Sequence, residues 1–205
     1  MIVLNKLCMG EAMFEKIETV KKIGSESFSN GVSMLEFWSW AHSDILGNAE
    51  RGILAEFIVA MALHATDKCR TEWDAYDVLT NEGIKIEVKS AAYLQVWEQR
   101  NYSKIQFGIK TTNGWDANTN TYSPDKKRQA DVYIFSLFKC KDQRNANPMD
   151  FSQWDFYVVS TKVLNEKYPN QKSLSLAGLK RLGVEPIAFE QISKTVKDIY
   201  LKDIK

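Results

Sequence analysis

The chain has 205 residues, of which 44% are hydrophobic and 26% are charged, as is usual for a folded, water-soluble domain. No segment approaches the ~18 consecutive apolar residues of a membrane span, so we expect no membrane partner. The first residues lack the layout of a signal peptide. Three cysteines (Cys8, Cys69 and Cys140) are too widely spaced for a metal pair or a disulfide framework. Together these features favour a cytoplasmic location.

The charges are unevenly distributed along the chain, although the net charge is only +1. Residues 1–83 carry 7 basic and 13 acidic side chains, whereas residues 84–205 carry 20 basic and 13 acidic ones. Such asymmetry favours a polyanionic partner for the second part. An ordinary solvated surface, on which the charges are unevenly distributed by chance, explains the counts equally well.

The chain is long enough for one domain with a substantial core, and no linker-like segment divides it. We predict a single domain over 1–205, with an N-terminal helical segment (1–48), a core (49–160) and C-terminal helices (161–205). The first segment favours helices over residues 11–23, ending near Gly24, and from Met34 to Leu46, ending near Gly47.

The next predicted helix runs from Arg51 to about His64 and contains a single carboxylate in an apolar setting. Glu56 is the only charged residue between Gly52 and Leu63, and its neighbours three and four positions away are all non-polar. Burying a lone carboxylate is costly unless it is paired or bound to a metal. A narrow exposed edge of the helix is the other explanation.

A β-hairpin is predicted next, with a strand over 73–80, a turn at 81–83 and a strand over 84–89. Alternation in the second strand places Lys85, Glu87 and Lys89 on one face. If the hairpin folds about Glu82, Asp77 lies opposite Glu87, whereas Asp74 falls on the other face. Like charges in that position repel each other, and a divalent cation between them would turn the repulsion into binding. An ordinary solvated face accounts for the alternation as well.

The remaining pattern predicts strands over 105–110, 131–140 and 154–160, followed by helices over 161–167, 175–182 and 190–201. Residues 111–130 are predicted to form a polar loop, with at most a short helix that begins at Ser123 and Pro124. The expected architecture is an α/β fold with a mixed sheet of about five strands and helices packed outside it.

The set Asp77…Glu87-Val88-Lys89, preceded by the helix with Glu56, resembles the active-site motif of the PD-(D/E)xK nuclease superfamily. The proline of the family motif is replaced by Tyr76. The resemblance implies a restriction-endonuclease-like fold and hydrolysis of DNA in restriction, defence or repair. It also implies Mg²⁺ or Mn²⁺ bound by Asp77, Glu87 and the carbonyl of Val88.

The resemblance further implies that Glu56 binds a second metal ion and that Lys89 orients or activates the attacking water. Ser90, Gln95 and Gln106 are implied, less specifically, as groups that align water or substrate. Cutting both strands of a duplex requires two active sites, so a homodimer is expected.

The basic run at the end of the predicted loop is a candidate for phosphate contacts. It consists of Lys126, Lys127 and Arg128, with Trp115 and Tyr122 available for base or sugar contacts. A flexible solvated loop is the alternative. No phosphate-binding loop or dinucleotide fingerprint occurs, so no nucleotide cofactor is expected.

Two other functions remain open from the sequence alone. One is a nuclease-like fold that binds nucleic acid, or serves as a subunit, without turnover. The other is a nuclease that acts on RNA.

Overall fold

The computed structural model describes residues 19–70, 75–116 and 121–203. The helices are α1 (Met34–His42), α2 (Asn48–Ala62), α3 (Thr161–Lys167), α4 (Leu176–Arg181) and α5 (Ile192–Asp203). The strands are β1 (Val78–Leu79), β2 (Lys85–Ala92), β3 (Gln106–Gly108), β4 (Thr112–Asp116), β5 (Thr121–Lys127), β6 (Val132–Phe138), β7 (Trp154–Ser160) and β8 (Ser173–Ser175). In these ranges no helix is both long enough and apolar enough to cross a bilayer.

A mixed four-stranded sheet in the order β1-β2-β6-β7 forms the centre of the fold. Strand β2 runs antiparallel to β1 and parallel to β6, and β6 runs antiparallel to β7. Every residue of β6 is buried, as its nearly continuous apolar sequence requires. The α/β class is therefore confirmed.

The central sheet is mixed, as predicted, but it has four strands where about five were expected, because β3 pairs with β8 in a separate two-stranded sheet. Strand β8 follows α3 in the chain, and no pattern in its three residues signals a strand.

Two apolar layers cover the two faces of the central sheet. On one face, Ile86 and Val88 of β2 pack with buried residues of α2 and α5, such as Ile58 and Val196. On the other face, Phe135 and neighbouring side chains pack with residues of β3, α3, β8 and α4, among them Leu164. The side chains alternate between these layers along each strand.

The N-terminal helices differ from the prediction. Residues 19–23 are not helical, while 11–18 lie outside the described residues. Helix α1 begins with a capping box between Ser33 and Glu36 and ends at His42, earlier than expected. It ends early because a turn follows, in which Asp44 accepts hydrogen bonds from the Gly47 N–H through its carbonyl (2.9 Å) and its carboxylate (3.2 Å).

Residues 112–116 and 121–127 pair antiparallel as the strands β4 and β5, where a loop with a short helix was predicted. Trp115 lies opposite Tyr122, and their ring centroids are 4.8 Å apart, a cross-strand aromatic pair of the kind that stabilises hairpins. Pro124 is tolerated in β5 because a two-stranded ribbon leaves each strand one edge without a partner.

Candidate functional site

The central hairpin has the register predicted from the sequence. Val78 pairs with Ile86 and Leu79 with Lys85, and Gly83 adopts a positive φ of 85° in the turn. The first strand is shorter than predicted, because residues 75–77 form bends rather than strand. Asp74, the weaker acidic candidate, lies outside the described residues.

Asp77 lies where the pairing of the hairpin ends. Its backbone N–H donates to the carbonyl of Ile86 (2.9 Å), and its carboxylate Oδ2 accepts from the backbone N–H of Val88 (2.7 Å). Within a strand, the N–H and C=O of one residue point to the same edge, which is shared by every second residue. The carbonyl of Val88 is therefore directed towards the edge of β2 that carries Asp77.

Three charged side chains meet at this edge. The ammonium Nζ of Lys89 lies 2.5 Å from Oε1 of Glu87 and 3.8 Å from Oδ2 of Asp77. The side chains of Lys89, Asp77 and Glu87 are 32%, 22% and 20% exposed, so they are partly desolvated but reachable from solvent. The structure thus brings the sequence-predicted trio together.

Glu56 reaches the same cluster from α2. Its side chain is only 15% exposed and forms an ion pair with Arg70, whose Nη2 lies 3.2 Å from Oε1 and whose Nε also donates to the carboxylate. Burial raises the pKa of Glu56, and the negative charge of Asp77 raises it further. The hydrogen bond from Arg70 lowers this pKa and so partly offsets the effect of burial. Arg70 was not predicted, because its spacing of 14 residues from Glu56 follows no helical or strand period.

The charges of the site act on one another. Burial raises the pKa of Glu87, with Lys89 opposing this and Asp77 reinforcing it. For Lys89, burial alone would lower the pKa, but the negative charges of Glu87, Asp77 and Glu56 together raise it above the usual value. Lys89 is accordingly a positive charge held among carboxylates.

Tyr133 is a further member of the site that sequence reasoning missed. It lies beside Glu87 in the parallel register of β2 and β6 and is only 3% exposed. Burial raises the pKa of its phenol, and the charges of Glu87 and Asp77 raise it further. The parallel pairing could not be read from the sequence, and so Tyr133 looked like another apolar position of a central strand.

The structure does not place Ser90 with this trio. Its position in the alternation directs it to the opposite face of β2, where its Oγ is buried and has no hydrogen-bond partner among the described residues. A role of Ser90 in aligning water or substrate stays a prediction.

Of the two glutamines implied by the resemblance, Gln95 makes its hydrogen bonds outside the cluster. The side-chain amide of Gln95 donates to the carbonyl of Ala92 and to Oγ of Ser103 (both 3.2 Å), and its Oε1 accepts from the buried Arg51. Gln95 thus orders the segment after β2. Gln106 is exposed on β3, opposite Ser175; a role of Gln106 in substrate alignment stays a prediction.

The basic run divides into two kinds of residue. Lys126 and Lys127 are exposed on β5. Arg128 is only 5% exposed and donates to the carbonyl of Ile109 (2.9 Å), to Oδ1 of Asn165 (2.6 Å) and to the carbonyl of Tyr168 (2.7 Å). Its predicted phosphate contact has to be revised, since its guanidinium is used inside the protein.

The chemistry of the site suits a hard divalent cation. Among the described residues no three histidine, cysteine or acidic side chains are grouped closely enough to hold a metal ion, and Lys89 lies beside both Glu87 and Asp77. The donors at the edge of β2 are nevertheless two carboxylates and a backbone carbonyl, all oxygen ligands of the kind that Mg²⁺ and Mn²⁺ prefer. The residues present therefore fit such an ion.

Two carboxylates and a lysine at the edge of a central hairpin are groups that can act on a phosphodiester when a divalent ion is bound. Comparison with known families is more specific. The family model described as bacteriophage T4 endonuclease IV matches residues 10–178, which is most of the chain. The chain belongs to this endonuclease family.

A search among curated proteins finds no matching sequence. Among solved structures, a bacterial homing endonuclease is similar over 61% of this chain and 74% of its own, with 16% identity and a TM-score of 0.32.

Proposed function

We propose that the chain is a divalent-metal-dependent endonuclease that hydrolyses phosphodiester bonds in DNA. The observation that carries the proposal is the meeting of Asp77, Glu87 and Lys89 at the edge of β2 that carries Asp77. It occurs in a chain that belongs to an endonuclease family. We also propose that the core is restriction-endonuclease-like, in that a helix with a glutamate precedes an antiparallel hairpin with the motif. In the described part of the connection from β2 to β6, strands β3, β4 and β5 stand where a helix was expected.

Each member of the cluster has a role in this proposal. Asp77, Glu87 and the carbonyl of Val88 would hold Mg²⁺ or Mn²⁺, and Glu56 would contribute to a second ion. When bound, such an ion polarises the scissile phosphate and lowers the pKa of a water ligand. Lys89, held by Glu87, offsets negative charge on the phosphate and orients the attacking water. Arg70 keeps Glu56 in place.

A groove near the site gives a DNA strand a path. It has a volume of about 660 Å³, and its lining includes Lys85, Lys127 and Lys162 as well as three carboxylates, those of Asp131, Glu166 and Asp203. Lys85 lies on the same face of β2 as Glu87, while Lys127 lies at the base of the β4–β5 hairpin. Lysines in this arrangement attract phosphates without selecting a sequence.

The β4–β5 hairpin extends this surface. Lys126 is exposed, and Tyr122 is 64% exposed. The major groove of DNA admits a two-stranded β-ribbon. We propose that this hairpin contacts the substrate and that two copies of the chain form a homodimer when both strands are cut.

The test is cleavage of supercoiled plasmid DNA by purified protein. We expect nicked or linear product with Mg²⁺ or Mn²⁺ and none with EDTA. Lys89→Met and Asp77→Asn should abolish cleavage while leaving the unfolding transition in place. Lys194→Met is the matched control, because Lys194 is exposed on α5, which packs on the other face of the sheet.

Three results would contradict the proposal. One is cleavage that survives both Lys89→Met and Asp77→Asn. Another is full activity in EDTA. The third is a folded wild-type protein that does not cut DNA. Such a protein would either cut RNA instead or bind DNA without turnover, as a catalytically silent scaffold does.

A further inference from the structure

A second charged surface lies at the carboxyl ends of β2 and β6. These two strands are parallel neighbours, so the segments that follow them, 93–104 and 139–145, leave the sheet at the same edge. Between the segments is a cavity of about 590 Å³ whose lining includes Arg100, Lys141 and Arg144. We call these three residues the basic patch.

The basic patch keeps its positive charge. Asp142 is the acidic residue in the lining of the cavity, and its carboxylate is used in a local turn. It accepts from the backbone N–H of Arg144 (3.0 Å) and from the amide of Asn145 (2.7 Å). The ion pair of Arg144 with Asp142 is long, at 3.8 Å, and the side chain of Arg144 is 93% exposed, so the pair is weak. Across the described ranges neither Arg100 nor Lys141 forms an ion pair.

Aromatic rings hold Lys141 in position without neutralising it. Its Nζ lies 4.4 Å from the ring centroid of Tyr93 and 5.5 Å from that of Tyr102. The two rings pack edge to face, and the Tyr102 hydroxyl donates to the carbonyl of Lys141 (3.2 Å), which joins the two segments. A cation held over aromatic faces stays available to an anion, because no carboxylate competes for it.

The segment after β2 is held in place by its own hydrogen bonds. Oε1 of Gln99 accepts from the N–H of Gln95 (2.8 Å), while its amide donates to Oγ of Ser103 (3.0 Å). The N–H of Ser103 donates to the carbonyl of Tyr93 (3.0 Å), so the segment folds back on the end of β2. The segment that carries Arg100 is therefore held in a defined conformation.

The patch is close to the active site along the same strand. Lys89 and Tyr93 are four residues apart, which corresponds to about 13 Å in extended chain. Tyr93 packs against the same layer of the sheet as Ala91, which shares the face of Glu87 and Lys89. A DNA strand that advances about 3.4 Å per nucleotide covers this distance in about four steps.

We infer that the basic patch binds the sugar-phosphate backbone of the substrate beside the scissile bond. This inference rests on the proposed function, since it takes the nucleic acid at Lys89 and at the patch to be the same molecule. Arg100, Lys141 and Arg144 contact phosphates and fix the register of the strand, and they do not take part in the chemistry.

The experiment measures the binding of a short, fluorescein-labelled DNA duplex by anisotropy, in EDTA and at a series of KCl concentrations. The slope of log K against log salt is negative, and each lost phosphate contact reduces its magnitude by about 0.9 for duplex DNA. The double variant Lys141→Gln/Arg144→Gln should bind more weakly at low salt, with a slope that is less steep by about 1.8. Lys194→Gln, the loss of one charge on α5, should change neither quantity.

The outcomes separate this inference from the proposed function. If the wild-type protein cuts DNA while the double variant keeps its affinity and slope, the inference fails and the proposed function stands; a patch built for an acidic protein would give this result. If Lys194→Gln weakens binding as much as the double variant does, the inference also fails. Patch-dependent binding without any cleavage would show that the patch binds DNA, but it would contradict the proposed function and, with it, the placement of the patch beside a scissile bond. A wild-type protein that neither binds nor cuts DNA overturns both.

Discussion

Replacement of Arg128 by alanine is expected to destabilise the protein instead of merely weakening its contact with DNA. Arg128 directly follows β5, and its guanidinium joins the base of the β4–β5 hairpin to the segment after β3 and to α3. A basic residue next to two lysines looks like part of a phosphate-binding run, so the experiment tests the structural role directly.

The expected loss follows from the partners that would be left behind. The carbonyls of Ile109 and Tyr168 and the amide oxygen of Asn165 would each lose a charge-assisted hydrogen bond in a buried setting. Such bonds contribute about 1.5–3 kcal/mol each, though not additively. Disruption of a buried charged network typically costs about 3–5 kcal/mol, and we expect Arg128→Ala to fall in this range.

Urea unfolding followed by circular dichroism measures the effect. Lys127→Ala is the matched control; Lys127 is the exposed neighbour, and its loss should stay within about 0.5 kcal/mol of wild type. Arg128→Lys keeps the charge but cannot reproduce the three bonds, so it should lie between the two and remain folded if Arg128→Ala does not. An Arg128→Ala protein as stable as Lys127→Ala would refute this reasoning.

Two other predictions concern stability. A Cβ added at Gly178 would lie 2.5 Å from Cδ1 of the buried Leu174, so Gly178→Ala should lower the free energy of unfolding by about 1–3 kcal/mol. A Cβ added at Gly52 in α2 meets open space, so Gly52→Ala should raise the free energy of unfolding by about 0.5–1 kcal/mol. If urea unfolding shows the same change for both variants, the packing of α4 described above is contradicted. Burial raises the pKa of Tyr157 to about 12, above its ordinary value of 10.0, so the native state keeps a proton that the unfolded chain loses and stability falls as the pH rises above 10. Tyr157→Phe should therefore lose less stability than wild type between about pH 10 and about pH 12; parallel losses in the two proteins would contradict this prediction.

The sequence was most informative where local patterns and packing agree. Strand β7 and helix α3 have the predicted bounds, since Ser160 ends a buried strand and caps the helix that follows by accepting from the N–H of Val163 (3.2 Å). The register of the central hairpin follows from the turn at Gly83. These features depend on neighbours within a few residues.

The features that were missed depend on partners far along the chain. Arg128 bonds to Asn165, 37 residues away, and therefore looked no different from Lys127 in the sequence. Tyr133 joins the site only through the parallel pairing of β2 with β6. The β4–β5 hairpin is polar on both faces, so its strands lack the alternation that marks a half-buried strand.

Calorimetric titration with Mn²⁺ tests the central claim most directly, because it measures the metal site independently of any DNA. We expect wild-type protein to bind Mn²⁺ with measurable heat, and Glu87→Gln and Asp77→Asn to lose most of it. Lys89→Met should bind Mn²⁺ more tightly than wild type, since it removes the ammonium that now pairs with both carboxylates. No heat with the wild-type protein, or the same heat with Glu87→Gln and Asp77→Asn, would contradict the account.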